Sequence, residues 1–143
     1  MSDYEYSISL RVTHPIIDPD EITNELKLEP FRKWMAGEKR MTPKGTLLEG
    51  LNNESYWASE MHPETKRLLS IDVFIEDYLL QLNNKLNRHK EYFAKLLASG
   101  GCVEYFVGWF SADNVGLTLS TELMKQTAEL GIEIGLCAYV GHE

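Results

Sequence analysis

Between Tyr4 and Val12 every second residue is apolar: Tyr4, Tyr6, Ile8, Leu10 and Val12 alternate with Glu5, Ser7, Ser9 and Arg11. Successive side chains of an extended chain point to opposite faces, so this pattern specifies a strand with one buried face and one polar face. A sheet built on such a strand needs cover on one side, and the remaining sequence has to supply it.

Helices come next. Asp18-Pro19-Asp20-Glu21 provides an N-cap, a proline at the first helical position and acids that complement the helix dipole. This start predicts a helix from Pro19 that buries Ile22, Leu26 and Leu28 and is ended by Pro30. From Asp72 to Ala98, Phe74, Ile75, Tyr78, Leu79, Leu82, Leu86, Phe93, Leu96 and Leu97 fall at helical spacing. Asn83, Asn84 and Asn87 predict a break between Asn83 and Arg88, and Gly100-Gly101 a stop. Ser120 caps a third helical segment through Leu130, closed by Gly131.

Further strands are expected at Lys33 to Ala36, within a loop-rich region from Phe31 to Asn53, and at Ser55 to Ser59. Cys102 to Phe110 is apolar on both faces and predicts a central strand covered on both sides. Ser111 to Asn114 reads as a hairpin turn, Val115 to Leu119 as the returning strand, and Ile132 to Val140 as the last strand. The expectation is a single α+β domain over residues 1–143, of order βαββαββαβ. Its sheet is mixed or antiparallel and its helices lie mainly on one face, as in ferredoxin-like relatives.

Composition sets the function classes. With 143 residues, 43% of them hydrophobic, the chain is long enough for one core. The start Met1-Ser2-Asp3-Tyr4-Glu5 lacks the basic residues and apolar run of a secretory signal, and no stretch approaches the roughly 20 apolar residues of a membrane span. A cytoplasmic protein without a membrane partner is expected. Cys102 and Cys137 are too few for a disulfide framework and too far apart for a zinc ribbon. The net charge is −8; from Phe31 to Gly45 five bases less Glu38 give +4, leaving −12 on the remainder. Such a body repels nucleic acid and attracts basic partners.

Ser7-Ile8-Ser9-Leu10, Asp18 to Thr23, Glu29-Pro30, Trp34 with Gly37, and Tyr56-Trp57 together form a recognisable pattern, continued by Gly116 to Leu123, Leu130-Gly131-Ile132 and the strand ending at Tyr139. On these residues the chain resembles the bacterial family termed domain of unknown function 4279, over nearly its whole length. The resemblance implies a small intracellular bacterial protein. It carries over no reaction, cofactor or catalytic residue.

The first candidate site is the segment Trp34, Gly37 and Arg40 together with Trp57 and Trp109, where indole faces and cations would grip an anion or a protein partner. The alternative is that the tryptophans anchor the core and the cations are solvated. The histidines His14, His62, His89 and His142 are scattered without a second ligand at metal spacing, so no metal is expected. Asp18, Asp20 and Glu21 are accounted for by capping. No G-x-S-x-G, phosphate loop or dinucleotide fingerprint occurs, and Ser99-Gly100-Gly101 follows a helix instead of opening one. Gly108, Gly135 and Cys137 are low in bulk and either line a groove or admit a closely packed helix.

No assembled reactive centre emerges. The leading reading is a non-enzymatic binding protein whose acidic surface engages a basic protein partner, an immunity-like protein neutralising a toxin being the specific form. The alternative is a small-molecule or anion-binding domain or enzyme with a pocket near Trp34, Arg40 and Trp57. A third is a homodimer paired through an exposed edge strand.

Overall fold

The computed structural model describes residues 3–140; Met1, Ser2 and His142 lie outside that range. Strand β1 (Glu5–His14) follows the alternation read from the sequence, with Tyr4, Tyr6, Ile8, Leu10 and Val12 all buried. Along one side it pairs antiparallel with β7 (Cys102–Ser111) from Glu5 to Thr13. Its other side is shared by β5 (Ser55–Glu60), opposite Ser9 to His14, and the short β6 (Leu68–Leu69), opposite Glu5 and Tyr6. Ile8 falls in the gap between them. Met61 N–H donates to its carbonyl, and its own N–H donates to Nε2 of buried His62, whose Nδ1–H then donates to Thr65 O at 2.8 Å. The backbone at the centre of the sheet is thereby satisfied without a strand.

Strand β2 (Arg32–Trp34) adds to β5, and β8 (Ile132–Val140) runs parallel to β7, giving the order β2-β5-β1-β7-β8 in a mixed sheet. Helix α1 (Pro19–Leu26), α2 (Ile75–Leu86), α3 (Lys90–Ala98) and α4 (Thr121–Glu129) bury Ile22, Leu26, Leu79, Leu82, Phe93, Leu96 and Leu123 against Trp57, Val103, Tyr105 and Val107. Each fully buried side chain of this kind contributes about 1.5–3 kcal/mol.

Three local expectations are met closely. Asp18 caps α1 through its carboxylate, Ser120 caps α4 by accepting from Leu123 N–H at 3.1 Å, and the break after α2 is a 3-10 turn at Asn87–His89. Others are corrected. Helix α1 stops at Leu26, before Pro30, because Lys27 takes a left-handed conformation (φ 58°) and returns its N–H to Thr23 O. Val115 to Leu119 is not a strand: both sides of β7 are already occupied, by β1 and β8, and a parallel β8 requires a crossover rather than a hairpin. The apolar alternation there is real, since Val115, Leu117 and Leu119 pack on the core as the chain crosses to α4.

The loop-rich region also contains a second sheet. β3 (Lys39–Met41) and β4 (Leu47–Leu51) form a hairpin that stands apart from the main one. Finally, among the described residues no element covers β7 on its second side. Val103, Tyr105 and Val107 face the helices and are buried, whereas Cys102, Glu104, Phe106 and Phe110 lie on the opposite, uncovered face and are half-buried.

Candidate functional site

The uncovered face is built by strand parity. Residues paired across neighbouring strands share a face, so Trp34, Tyr56 and Thr13 form one row, Arg32, Ala58, Arg11, Glu104 and Glu133 the next, and Ser9, Phe106 and Gly135 a third. Trp34 lies on Tyr56 with ring centroids 4.4 Å apart and nearly parallel, and its Nε1–H donates to Glu54 O. The Arg32 guanidinium sits 4.9 Å from the indole. Arg11 covers Phe106 at 3.8 Å, and Arg67 covers Phe110 at 3.6 Å while Tyr139 stacks on the same ring. Aromatic rings with arginines laid over them thus take the place of a helix layer.

Arg11 is the most exceptional of these. It makes no ion pair with any described residue, and its buried Nε lacks a hydrogen-bond partner among them. Burial raises the pKa of the neighbouring Glu60, opposed by His62 and Arg11, and burial likewise raises that of Tyr56. The Cys102 thiol is pushed up to about 11, first by burial and then by its hydrogen bond to Glu133, so it is held as an unreactive thiol.

The hairpin arm springs from the Trp34 corner of this face. Its base is fixed by Asn52, whose carbonyl accepts from Gly37 N–H at 2.9 Å and whose side chain donates to Met35 O, and by Ser55, which accepts from Ala36 N–H. Gly37 has φ +85° with open space where a Cβ would stand, so its role is the backbone turn and not ligand approach. At the tip, Gly45 N–H closes the turn onto Thr42 O. Arg32 and Arg40 lie along the arm and donate to its carbonyls, Arg32 to Met41 O and Arg40 to Glu49 O.

Every residue of the two arm strands is exposed, among them Met41 at 50%, Leu47 at 58% and Leu51 at 56%. A lone two-stranded ribbon is marginally stable in water, and one that displays large apolar side chains has surface still to bury.

The structure separates the five residues singled out from the sequence. Trp34, Gly37 and Arg40 belong to the arm and its root. Trp57 follows Tyr56 in the same strand, so it points to the helix side, where it is fully buried and its Nε1–H donates to Thr23 Oγ1 at 2.9 Å. Trp109 lies towards the far end of β7 against Tyr4, at 5.7 Å, with its Nε1 unpartnered among the described residues. The small residues do not leave a groove. A Cβ at position 135 would overlap the Glu104 carboxylate, and one at 108 would crowd Ser7 Oγ and the Phe110 ring. They accommodate neighbouring side chains on the uncovered face rather than a helix.

Histidines 14 and 62 serve the backbone. His14 Nδ1 accepts from Ile16 and Ile17 N–H, which directs its Nε2–H to Ser99 Oγ. Among the described residues no three His, Cys, Asp or Glu side chains gather to hold a metal ion, and no helix is long and apolar enough to cross a membrane.

Two features escaped the sequence reading. One is the apolar content of the arm, although Leu47, Leu48 and Leu51 beside the turn Thr42-Pro43-Lys44-Gly45 were a signal for a hairpin. The other is a cleft of about 850 Å³ between the C-terminal end of α1 and the end of α2, lined by Leu28, Phe31, Met61, Leu86, Lys85 and Arg88. No local pattern marks it, because its walls come from three separate segments.

Together these features define a class: an α+β protein with helices on one side of a mixed sheet, an uncovered aromatic and arginine face, and a protruding hairpin arm. Residues 4–141 match the family described as Domain of unknown function (DUF4279), and the chain belongs to that family. Neither the curated proteins nor the solved structures contain a match.

Proposed function

We propose that this is a binding protein that engages a protein partner through the hairpin arm and the adjoining Trp34–Tyr56 corner, an immunity-like protein neutralising a basic toxin being its specific form. The observation that carries the reading is the arm itself, a fully exposed ribbon presenting Met41, Leu47, Leu48 and Leu51. Interfaces are enriched in aromatic side chains, Met and Arg, and a few such anchors carry most of the binding energy. The arm and its root supply Met41, Trp34, Tyr56, Arg32 and Arg40 together. The −12 outside Phe31 to Gly45 acts at longer range, steering a basic partner towards the acidic body, while the arm, whose own stretch is +4, contributes apolar anchors and not charge attraction.

The test is capture of partners from the native host by the full chain and by the double variant Leu47→Ser, Leu51→Ser. Wild type should enrich a basic protein, and the variant should lose at least roughly 30-fold in affinity, as expected for two apolar anchors worth about 1 kcal/mol or more each. The association rate should fall as salt is raised. Equal capture by the arm variant, or binding insensitive to ionic strength, overturns the reading.

The cleft favours a second reading, a small-molecule or anion site. Its lining includes the buried Leu26, Leu82 and Leu86, and it carries Lys27, Lys85 and Arg88 beside Glu29, Glu60 and Glu64, the three cations forming no ion pair with any described residue. An amphipathic carboxylate such as decanoate would place its chain on Leu28, Met61 and Leu86 and its head by Lys85 and Arg88. Thermal stabilisation that disappears in Lys85→Glu supports this site. A series of such acids giving no stabilisation removes it.

A further inference from the structure

The two edges of the main sheet are protected very differently. At one end β2 is three residues long and carries Arg32 and Lys33, the short, charged edge by which proteins discourage further pairing. At the other end β8 is nine residues long, contains no proline and no lysine, and has Glu133 as its one charge. Its register with β7 is unbroken from Ile132 to Val140, so no bulge twists the edge away. Among the described residues no strand pairs with its outer side.

Apolar surface accompanies the bare edge. On the helix side of β8, Ile132 is buried but Leu136 is 49% exposed and Ala138 is exposed. Helix α4, which packs on β8, likewise exposes Met124 and, one turn on, Ala128. Whatever meets this edge must offer both backbone hydrogen bonds and apolar contact.

We propose that the occupant is a second copy of this chain, with β8 pairing antiparallel to β8 about a two-fold axis at Leu136. The strand is complementary to its own image in that register. Leu136 meets Leu136 of the second copy, Ile134 meets Ala138, Gly135 meets Cys137, and Glu133 meets Tyr139, so no charge faces a like charge. An axis centred on a residue keeps each side-chain face continuous, because opposed residues share parity. The apolar helix-side row Ile134, Leu136, Ala138 is then buried against itself. A two-fold pairing also closes on itself, and association stops at two chains.

Electrostatics separates this contact from partner binding. Two bodies of −8 repel one another, so added salt should tighten the dimer, whereas it should weaken the grip on a basic partner. The arm and β8 sit at opposite edges of the sheet, and the two contacts do not compete.

Sedimentation equilibrium of the full chain tests the proposal. Wild type should show twice the 16.4 kDa of one chain, with the monomer fraction falling as sodium chloride is raised. Leu136→Lys should dissociate the dimer at least 10-fold more readily while leaving the circular dichroism spectrum unchanged, since the side chain is half exposed. In a background of Cys102→Ser and Cys137→Ser, Leu136→Cys should form an intermolecular disulfide on mild oxidation, as opposed residues in an antiparallel pair are close enough to bridge. A monomer at every concentration and salt, a Leu136→Lys dimer as tight as wild type, or failure of Leu136→Cys to cross-link overturns it. Capture of a partner by monomeric Leu136→Lys would leave the function proposed above intact.

Discussion

Trp57→Ala is expected to destabilise the protein by about 4 kcal/mol, the range for deleting a large aromatic from a packed core. Trp57 is fully buried among the helix-side residues, and its indole donates to Thr23 Oγ1, so the substitution opens a cavity between β5 and α1 and removes the bond that ties them. At roughly 2–4 °C per kcal/mol, unfolding should begin some 10 °C lower or more. Trp34→Ala is the control. That ring lies on the uncovered face, half-buried on Tyr56, and its loss should cost about 1 kcal/mol, the worth of one aromatic pair. In partner capture the ranking reverses: Trp34→Ala weakens it, whereas folded Trp57→Phe leaves it unchanged. Thermal unfolding and capture measured on the same variants check both halves, and equal thermal effects of the two alanines would contradict the assignment of the two indoles to opposite faces.

That opposition explains how far the sequence could be read. Tyr56 and Trp57 are neighbours in a strand, so one must point to the core and the other away from it, and the pairing of Trp57 with buried Val12 shows which is which. What the sequence could not supply was the register of β2. Pairing Trp34 with Tyr56 puts it on the uncovered face, and a shift by one residue would have put it in the core. The local signals read correctly were the Asp18 and Ser120 caps, the turn at Asn87, and Gly131 at φ +76° after α4, whereas the end of α1 was misplaced because a lysine, not a glycine, takes the left-handed position there.

The other misread elements depend on long-range pairing. Val115, Leu117 and Leu119 carry the alternation of a strand, yet both lanes beside β7 were taken by segments far away in sequence. Phe106 and Phe110 read as residues of a strand covered on both sides, and arginines from β1 and from the segment before β6 lie over them on the second side. The arm was hidden in a region whose glycines and charges read as loop, because a hairpin exposed on both faces has no buried side to impose a period.

The same limit applies to Asn83, which reads as a weak helix former and is in fact buried at a junction of three elements. Tyr105 O–H donates to Asn83 Oδ1 at 2.8 Å, Asn83 Nδ2–H donates to Thr127 Oγ1 at 2.9 Å, and Thr127 O–H donates to Leu123 O at 2.7 Å. The relay runs from the central strand through α2 to α4, every donor pointing onward, and it fixes the angle at which the crossover helix lies on the sheet. Burial also raises the Tyr105 pKa, which keeps its hydroxyl a donor. Asn83→Ala leaves the Tyr105 hydroxyl without its acceptor and Thr127 without its donor, and opens a small void. Each unsatisfied buried group costs about 1–3 kcal/mol, so a loss of about 3 kcal/mol is expected. Removing the polar groups together should be far milder, since apolar replacements of similar shape leave nothing unpaired. The combination Tyr105→Phe, Asn83→Leu, Thr127→Val is therefore expected to recover most of the stability lost by Asn83→Ala, as measured by urea unfolding through a mutant cycle. A triple variant less stable than the single one would mean that the hydrogen bonds of the relay themselves hold the three elements together, and that the loss in Asn83→Ala does not come from the groups it leaves unpaired.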